Sequence, residues 1–350
     1  MSRVLIFFLA VGLAMAANDS TSSNSQGATS LGAMAAPGWQ SSDVAEMETA
    51  REVNQQLRER LREFIGRQNV TVERDVVYAE RGEDKLLLDV YQPKTEGPHA
   101  AVLVVHGGAW RSGSKAQLMA YAREIASRGH VAFAINYRLA PDHIFPAQID
   151  DCREAVRFIV ANAEKYSVDP ERLGAIGYSA GGHLVALLGT QGVSIAVDNA
   201  QVSDDADAVV DATNGTNGEV AGESLIRLRA VAPGGAPCDF RGLPANMQGL
   251  AFWLGGTPGE KAESYNAASP AAFVTKEACP MFFFHGESDE LVNLSSPKEM
   301  MAELKKAGVE NEIHVVEGAG HIAAAMDMDA LKAALDFLDG HLDKGDGSNQ

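Results

Sequence analysis

Gly177-Tyr178-Ser179-Ala180-Gly181 decides the reading of this chain. The pentapeptide has the form G-x-S-x-G. The apolar run Leu173–Ile176 precedes it, and Gly182-His183-Leu184-Val185-Ala186-Leu187-Leu188 follows. That context predicts a strand turning sharply into a helix, with the serine hydroxyl exposed at the turn. A serine on so tight a turn crowds its neighbours, which favours flanking residues without a Cβ. Alone, such a pentapeptide arises by chance in about one chain in ten of this length. Its weight therefore rests on what surrounds it.

Outward from the pentapeptide, strands alternate with helices. Val76-Val77-Tyr78 and Leu86–Val90 read as a hairpin pair. Ala101–Val105 and Val131–Asn136 read as strands, followed by helices over Ala116–Ser127 and Ala147–Lys165. Leu225–Val231, Met281–Phe284 and Ile313–Val316 read as later strands, with helices over about 297–307 and 329–342. This alternation predicts an α/β fold, a mostly parallel twisted sheet with helices on both faces. No internal repeat is evident.

A serine hydroxyl is a poor nucleophile at neutral pH. It needs a base, and the base needs an acid to orient it. In chains with this elbow, the acid and then a histidine follow the serine. Asp289 is the candidate acid. It lies in His285-Gly286-Glu287-Ser288-Asp289-Glu290, just past the strand Met281–Phe284, with Glu287 and Glu290 as rivals. Carboxyl ends of strands are where open α/β sheets face ligands. His321 is the candidate base, in the glycine-rich loop Gly318-Ala319-Gly320-His321 after the last strand. Its nearest rival, His314, lies inside that strand. The oxyanion of an acyl intermediate needs backbone N–H donors. His106-Gly107-Gly108-Ala109-Trp110 follows the strand Ala101–Val105, and paired glycines permit close approach of the backbone. Gly107 and Gly108 are the candidate donors from this loop, and Ala180 is the candidate from the elbow.

The ends of the chain read differently from its middle. Arg3, the apolar stretch Val4–Leu13 and Ala14-Met15-Ala16 have the pattern of a cleaved leader over 1–16. Its apolar part is shorter than the roughly 20 residues a bilayer span requires, so the expectation is a secreted or periplasmic protein. Residues 17–42 are rich in Ser, Asn, Gly, Ala and Thr and read as a flexible linker. Residues 43–66 read as an amphipathic helix carrying Val44, Met47, Val53, Leu57 and Leu61. The catalytic domain is expected over 67–343, and a disordered tail over 344–350. Within that domain, residues 198–223 hold five aspartates and read as an inserted acidic loop. The spacing of its carboxylates does not match an EF-hand.

The net charge of −18 argues against nucleic acid and anionic membrane surfaces as partners. It suits a neutral small-molecule or carbohydrate substrate, and it leaves oligomeric state open. The three cysteines, Cys152, Cys238 and Cys279, allow at most one bridge, for which Cys238–Cys279 is the candidate. Cys152 lies on a helix-like apolar face and reads as a buried small residue. No cysteine or histidine spacing suggests a metal site, and no cofactor is expected.

Taken together, Leu88-Asp89-Val90-Tyr91-Gln92-Pro93, His106-Gly107-Gly108-Ala109-Trp110, Tyr137-Arg138-Leu139-Ala140-Pro141 and Phe145–Asp151 resemble one family, along with the elbow, the Asp289 segment and His321. The chain resembles α/β-hydrolases of the hormone-sensitive-lipase-like esterases, in the secreted bacterial branch with acetyl-xylan-esterase-like and feruloyl-esterase-like enzymes. The likeness covers about residues 70–342. It implies an α/β-hydrolase fold and a serine carboxylic-ester hydrolase acting on short acyl esters, acetyl or feruloyl groups on carbohydrates among them. It implies Ser179 as nucleophile, Asp289 as acid, His321 as base, and donors at Gly107, Gly108 and Ala180. It also implies that His106 shapes its loop and that Arg138, Asp150 and Asp151 brace the site. The loop equally resembles arylformamidases, so amide hydrolysis is the alternative chemistry. A non-catalytic binding protein on the same scaffold is the alternative class. Two departures stand out: Ala109 replaces the third glycine of the lipase-type loop, and Ala232–Phe240 departs from the tryptophan/phenylalanine-rich pattern expected there; the acidic stretch before it is also unusual.

Overall fold

The seven residues His99–Val105 are apolar without alternation after the first, and all seven are buried. Such a run belongs to a strand covered on both faces. It is β3 of an α/β sheet. The structure is a computed structural model that describes residues 70–196 and 223–343. The expected leader 1–16, linker 17–42, helix 43–66 and tail 344–350 lie outside those residues, as does all but Glu223 of the acidic stretch 198–223.

The hairpin expected near the start of the domain is β1 (Val70–Arg81) and β2 (Asp84–Pro93), antiparallel and joined at Gly82-Glu83. Beyond β3 come β4 (Val131–Ile135), β5 (Val168–Tyr178), β6 (Val193–Ala196), β7 (Glu223–Ile226), β8 (Ala230–Gly234), β9 (Met281–Gly286) and β10 (Asn311–Val316). Among the described residues, eight strands form one sheet in the order β1-β2-β4-β3-β5-β8-β9-β10. Its β1–β2 and β2–β4 pairs are antiparallel, and every pair from β4 to β10 is parallel. β6 and β7 form a separate antiparallel ribbon.

Alternate residues of the strands feed two cores. Leu103, Val105 and Phe133 pack on one face with Ile149 and Val156 of α2 (Ala147–Ala161) and Leu184 and Leu187 of α3 (Ala180–Gln191). Val102, Val104 and Phe284 pack on the other with Ile125 of α1 (Met119–Ser127) and Leu335 of α8 (Met328–Leu342). Each fully buried aliphatic or aromatic side chain contributes roughly 1.5–3 kcal/mol relative to exposure. Between β8 and β9 lie the short helices α4 (Ala251–Leu254) and α5 (Ala262–Ala267). α6 (Ser295–Lys306) and α7 (His321–Ala325) are the remaining α-helices among the described residues. No helix among the described residues is long and apolar enough to cross a membrane.

Two expectations need correction, and one open pairing is answered. Leu225–Val231 is not one strand. It breaks at Arg227-Leu228-Arg229, so its start pairs with β6 and its end with β5. At the break the Arg229 N–H donates to the Leu173 carbonyl of β5 (2.7 Å), while both arginine side chains reach other backbone carbonyls. Arg227 donates to the Glu277 carbonyl (2.7 Å), and Arg229 donates to the Glu171 carbonyl (2.9 Å). The helix expected to reach Lys165 stops at Ala161, where Asn162 donates its side-chain amide back to the Phe158 carbonyl (2.8 Å). Such back-bonding competes with continued helix. Finally, Cys238 and Cys279 are both free and buried, as is Cys152. Burial raises all three thiols and holds Cys279 at about 12. A thiol reagent is therefore expected to titrate none of the three in folded protein and all three in denaturant, since only the thiolate reacts. Rapid labelling of native protein would contradict this burial.

Candidate active site

Ser179 sits between the last residue of β5 and the first of α3. Its backbone φ is positive, with φ 57° and ψ −120°. A non-glycine residue there costs on the order of 1–3 kcal/mol and persists only where its surroundings enforce it. Here the Ser179 N–H donates to the Gly234 carbonyl (2.8 Å), and the Ser179 carbonyl accepts from the His183 N–H (2.9 Å). The flanking glycines are steric requirements. A Cβ on Gly181 would overlap the Val105 carbonyl, and one on Gly177 would overlap the Gly181 carbonyl. The helix thus starts hard against the end of β3.

That contact also brings the glycine loop to the serine. A Cβ on Gly107 would lie 3.2 Å from the Ser179 Cβ. The turn's inward hydrogen bonds use its carbonyls. Gly107 O accepts from His106 Nδ1 (2.7 Å), and Gly108 O accepts from the Arg111 and Ser112 N–H groups (3.1 and 3.0 Å). Gly108 has φ 112°, which only glycine adopts readily. The N–H of Ala180, in the first turn of α3, has no intrahelical acceptor by geometry.

Asp289 and His321 follow β9 and β10, which lie side by side at one edge of the sheet. Asp289 follows β9, and His321 is the first residue of α7 rather than part of a free glycine loop. His321 Nδ1 lies 2.6 Å from Asp289 Oδ2. Asp289 Oδ1 accepts from the Leu291 and Val292 amides, both at 2.9 Å. Its side chain is fully buried, whereas Glu287 and Glu290 are exposed. A carboxylate is acceptor-only, so His321 donates from Nδ1 and keeps its Nε2 lone pair free. Tyr178, the residue before Ser179, donates its hydroxyl to the His321 carbonyl (2.6 Å), with its ring centroid 5.2 Å from that imidazole. His321 is therefore held beside the elbow. His314 pairs with Phe284 within the ladder.

Several residues here were not singled out from the sequence. His285 Nε2 donates to the Val292 carbonyl (2.8 Å) and lies 3.3 Å from Asp289 Oδ2. It ties both ends of the Asp289 loop, and burial lowers its pKa. Its one legible signal was its place at the end of an apolar strand. His183 lies in α3, the helix after the elbow. It is fully buried there between Trp110 and Ala268. Of the bracing residues, Arg138 grips the buried Asp151 through Nε (3.0 Å) and a terminal guanidinium nitrogen (2.7 Å), while Asp150 pairs with Arg153. Among the described residues, no three His, Cys, Asp or Glu side chains are grouped to hold a metal.

His106 stacks on Tyr137 at 4.2 Å, and burial pushes its pKa down to about 4, as it does for His183. An unfolded histidine titrates near 6.5. Between those values the unfolded chain binds protons that the native one refuses, so stability rises with pH. The contribution is complete above about pH 6.5 and is lost as pH falls toward 4. Urea unfolding is expected to show a loss on the order of 1–3 kcal/mol per imidazole from pH 7 to pH 4.5. A flat profile over that window would contradict the neutral burial of both rings.

The BD-FAE family model matches residues 88–304, from β2 to α6, and so includes the glycine loop, the elbow and Asp289. Esterase LipC of Mycobacterium tuberculosis is 30% identical over 244 residues, 67% of this chain and 56% of the relative. Among solved structures, a truncated form of a carbohydrate esterase from gut microbiota aligns with TM-score 0.64 and 26% identity, covering 78% of this chain and 97% of that one. The propionate-bound esterase Est2 of Thermogutta terrifontis aligns with TM-score 0.58 and 25% identity, covering 77% and 93%. The chain spans a little over half the length of the curated relatives it matches first, 56% and 61%. With the parallel sheet, the elbow and this span of matched residues, the chain belongs to the BD-FAE family and has the α/β-hydrolase fold.

Proposed function

We propose that the chain is a serine carboxylic-ester hydrolase acting on short acyl esters, with acetyl or feruloyl groups on carbohydrates as its substrate class. The observation that carries this reading is the 2.6 Å His321–Asp289 pair held beside a strained Ser179 elbow. The esterase and carbohydrate-esterase names of its relatives support the reading. In this mechanism His321 Nε2 takes the Ser179 Oγ proton as Oγ attacks the ester carbonyl. The N–H groups of Gly107, Gly108 and Ala180 receive the developing oxyanion. His321 then protonates the departing alcohol, and water releases the acid from the acyl-serine by the same path. Asp289 holds the Nδ1–H tautomer and stabilises the imidazolium. The steps call on no cofactor. We also propose export from the cytoplasm, on the leader-like pattern over 1–16.

The test is a panel of p-nitrophenyl acetate, butyrate and octanoate with acetylated xylan and methyl ferulate. We expect turnover of the acetate and butyrate, falling for octanoate, and release of acetate or ferulate from the last two. Failure on every ester, alongside turnover of an N-formyl amide, would replace this reading with amide hydrolysis.

A further inference from the structure

His183 and Trp110 lie outside the proposed triad, yet together they join the two halves of the site. The loop they touch is strained. Ala109 and Trp110 have φ of 52° and 57° without being glycine. Consecutive left-handed residues of this kind cost on the order of 1–3 kcal/mol each and need external enforcement. The Trp110 carbonyl accepts from the Ala140 N–H (2.9 Å), and the Trp110 indole is held as well. It stacks flat on Trp253 of α4 at 3.7 Å and 2°, and meets Phe240 edge-on at 6.0 Å. Stacking alone allows the ring to slide in its plane. A directional bond fixes it: Trp110 Nε1–H donates to His183 Nδ1 at 3.2 Å.

His183 can accept that bond for a definite reason. Its Nε2 lies 2.6 Å from the Ala268 carbonyl, which only accepts. The proton therefore sits on Nε2, and the Nδ1 lone pair faces Trp110. The backbone of the same residue bonds the nucleophile: His183 N–H donates to the Ser179 carbonyl at 2.9 Å. One fully buried residue thus holds the elbow through its main chain and the glycine loop through its side chain.

We propose that His183 is a positioning residue that sets the oxyanion loop against Ser179 through the indole N–H of Trp110. The proposal rests on the reading of Gly107 and Gly108 as oxyanion donors. A histidine that merely fills the core would affect stability. A histidine that places the donors affects transition-state binding, because the oxyanion exists only there.

The test is a double-mutant cycle of Trp110→Phe and His183→Phe, with kcat and KM on p-nitrophenyl acetate and melting temperature for each variant. Trp110→Phe keeps a ring on Trp253 and removes only the N–H donor and part of the surface. The expected result is a kcat loss of about 10- to 100-fold in each single variant, with KM moved less than about threefold. The double variant is expected to fall little further than the worse single one, since both remove one bond. A folded Trp110→Phe protein with kcat within about threefold of wild type would overturn the proposal. So would single losses that multiply in the double variant. Trp110→Phe alone decides the matter if His183→Phe does not fold. Wild-type turnover with an inactive Ser179→Ala control sustains the parent reading through either failure. Full activity in that control would remove the parent reading and this proposal together.

Discussion

Ser179→Ala is expected to lower kcat on p-nitrophenyl acetate by about four to six orders of magnitude while the protein stays folded. The size follows from the mechanism. Without Oγ there is no acyl-enzyme, and what remains is water attack assisted by the donors of Gly107, Gly108 and Ala180, which leaves some acceleration over solution. The fold is expected to survive because the elbow is enforced by its main chain. The Ser179 N–H bond to the Gly234 carbonyl and the His183 N–H bond to the Ser179 carbonyl are both untouched. A companion variant separates strain from chemistry. Ser179→Gly removes the Cβ penalty at φ 57°, so it is expected to be equally inactive and about 1 kcal/mol more stable. Stabilisation with loss of turnover is the usual sign of a strained functional residue. A Ser179→Ala protein within tenfold of wild type would contradict the mechanism.

Asp289→Asn has the second largest expected effect, a loss in kcat of about 10³- to 10⁴-fold. The substitution is isosteric, and its carbonyl oxygen can still accept from the Leu291 and Val292 amides. The amide NH₂ would then face His321 Nδ1, which must become an acceptor. The imidazole proton moves to Nε2, where it can no longer take the serine proton. Glu290→Gln serves as the contrast. Glu290 is exposed one residue away, and its neutralisation is expected to leave kcat within about threefold. If the two variants lose activity equally, Asp289 is not the orienting acid.

The parts of the fold that were legible share a physical property. β3 announces itself by an unbroken apolar run, and α2 and α8 by long amphipathic faces, because burial on defined faces imposes a period on sequence. The elbow was legible because its glycines answer to overlaps with Val105 and Gly181 that no other residue avoids. α4 and α5, of four and six residues, are too short to carry a helical period. They were missed, and with them the stack of Trp253 on Trp110. Leu225–Val231 was misread because the apolar residues on either side of Arg227 and Arg229 serve different sheets. Sequence shows that a strand can form, but it does not show which neighbour completes the ladder.

The candidate site divides in the same way. Ser179, Gly107 and Gly108 stand in local patterns set by backbone geometry, so they could be named from the chain alone. Asp289 could be named from its place just past the strand Met281–Phe284, with Glu287 and Glu290 as rivals. What separates the three in the structure is burial: Asp289 is enclosed and bonded to His321, and its rivals are exposed. His183 and His285 carry no local signature. Their roles depend on partners 73 and 7 residues away, Trp110 and Val292, and only the folded chain brings those together.

The central claim is that Ser179 becomes covalently acylated. The most direct measurement is peptide mass mapping after brief reaction of the protein with p-nitrophenyl acetate, quenched in acid, with a fluorophosphonate probe run in parallel. The account predicts a single acetyl adduct and a single phosphonyl adduct, both on the peptide carrying Ser179, and neither in the Ser179→Ala variant. Turnover of the ester with no adduct at Ser179, or an adduct that persists in Ser179→Ala, would contradict it.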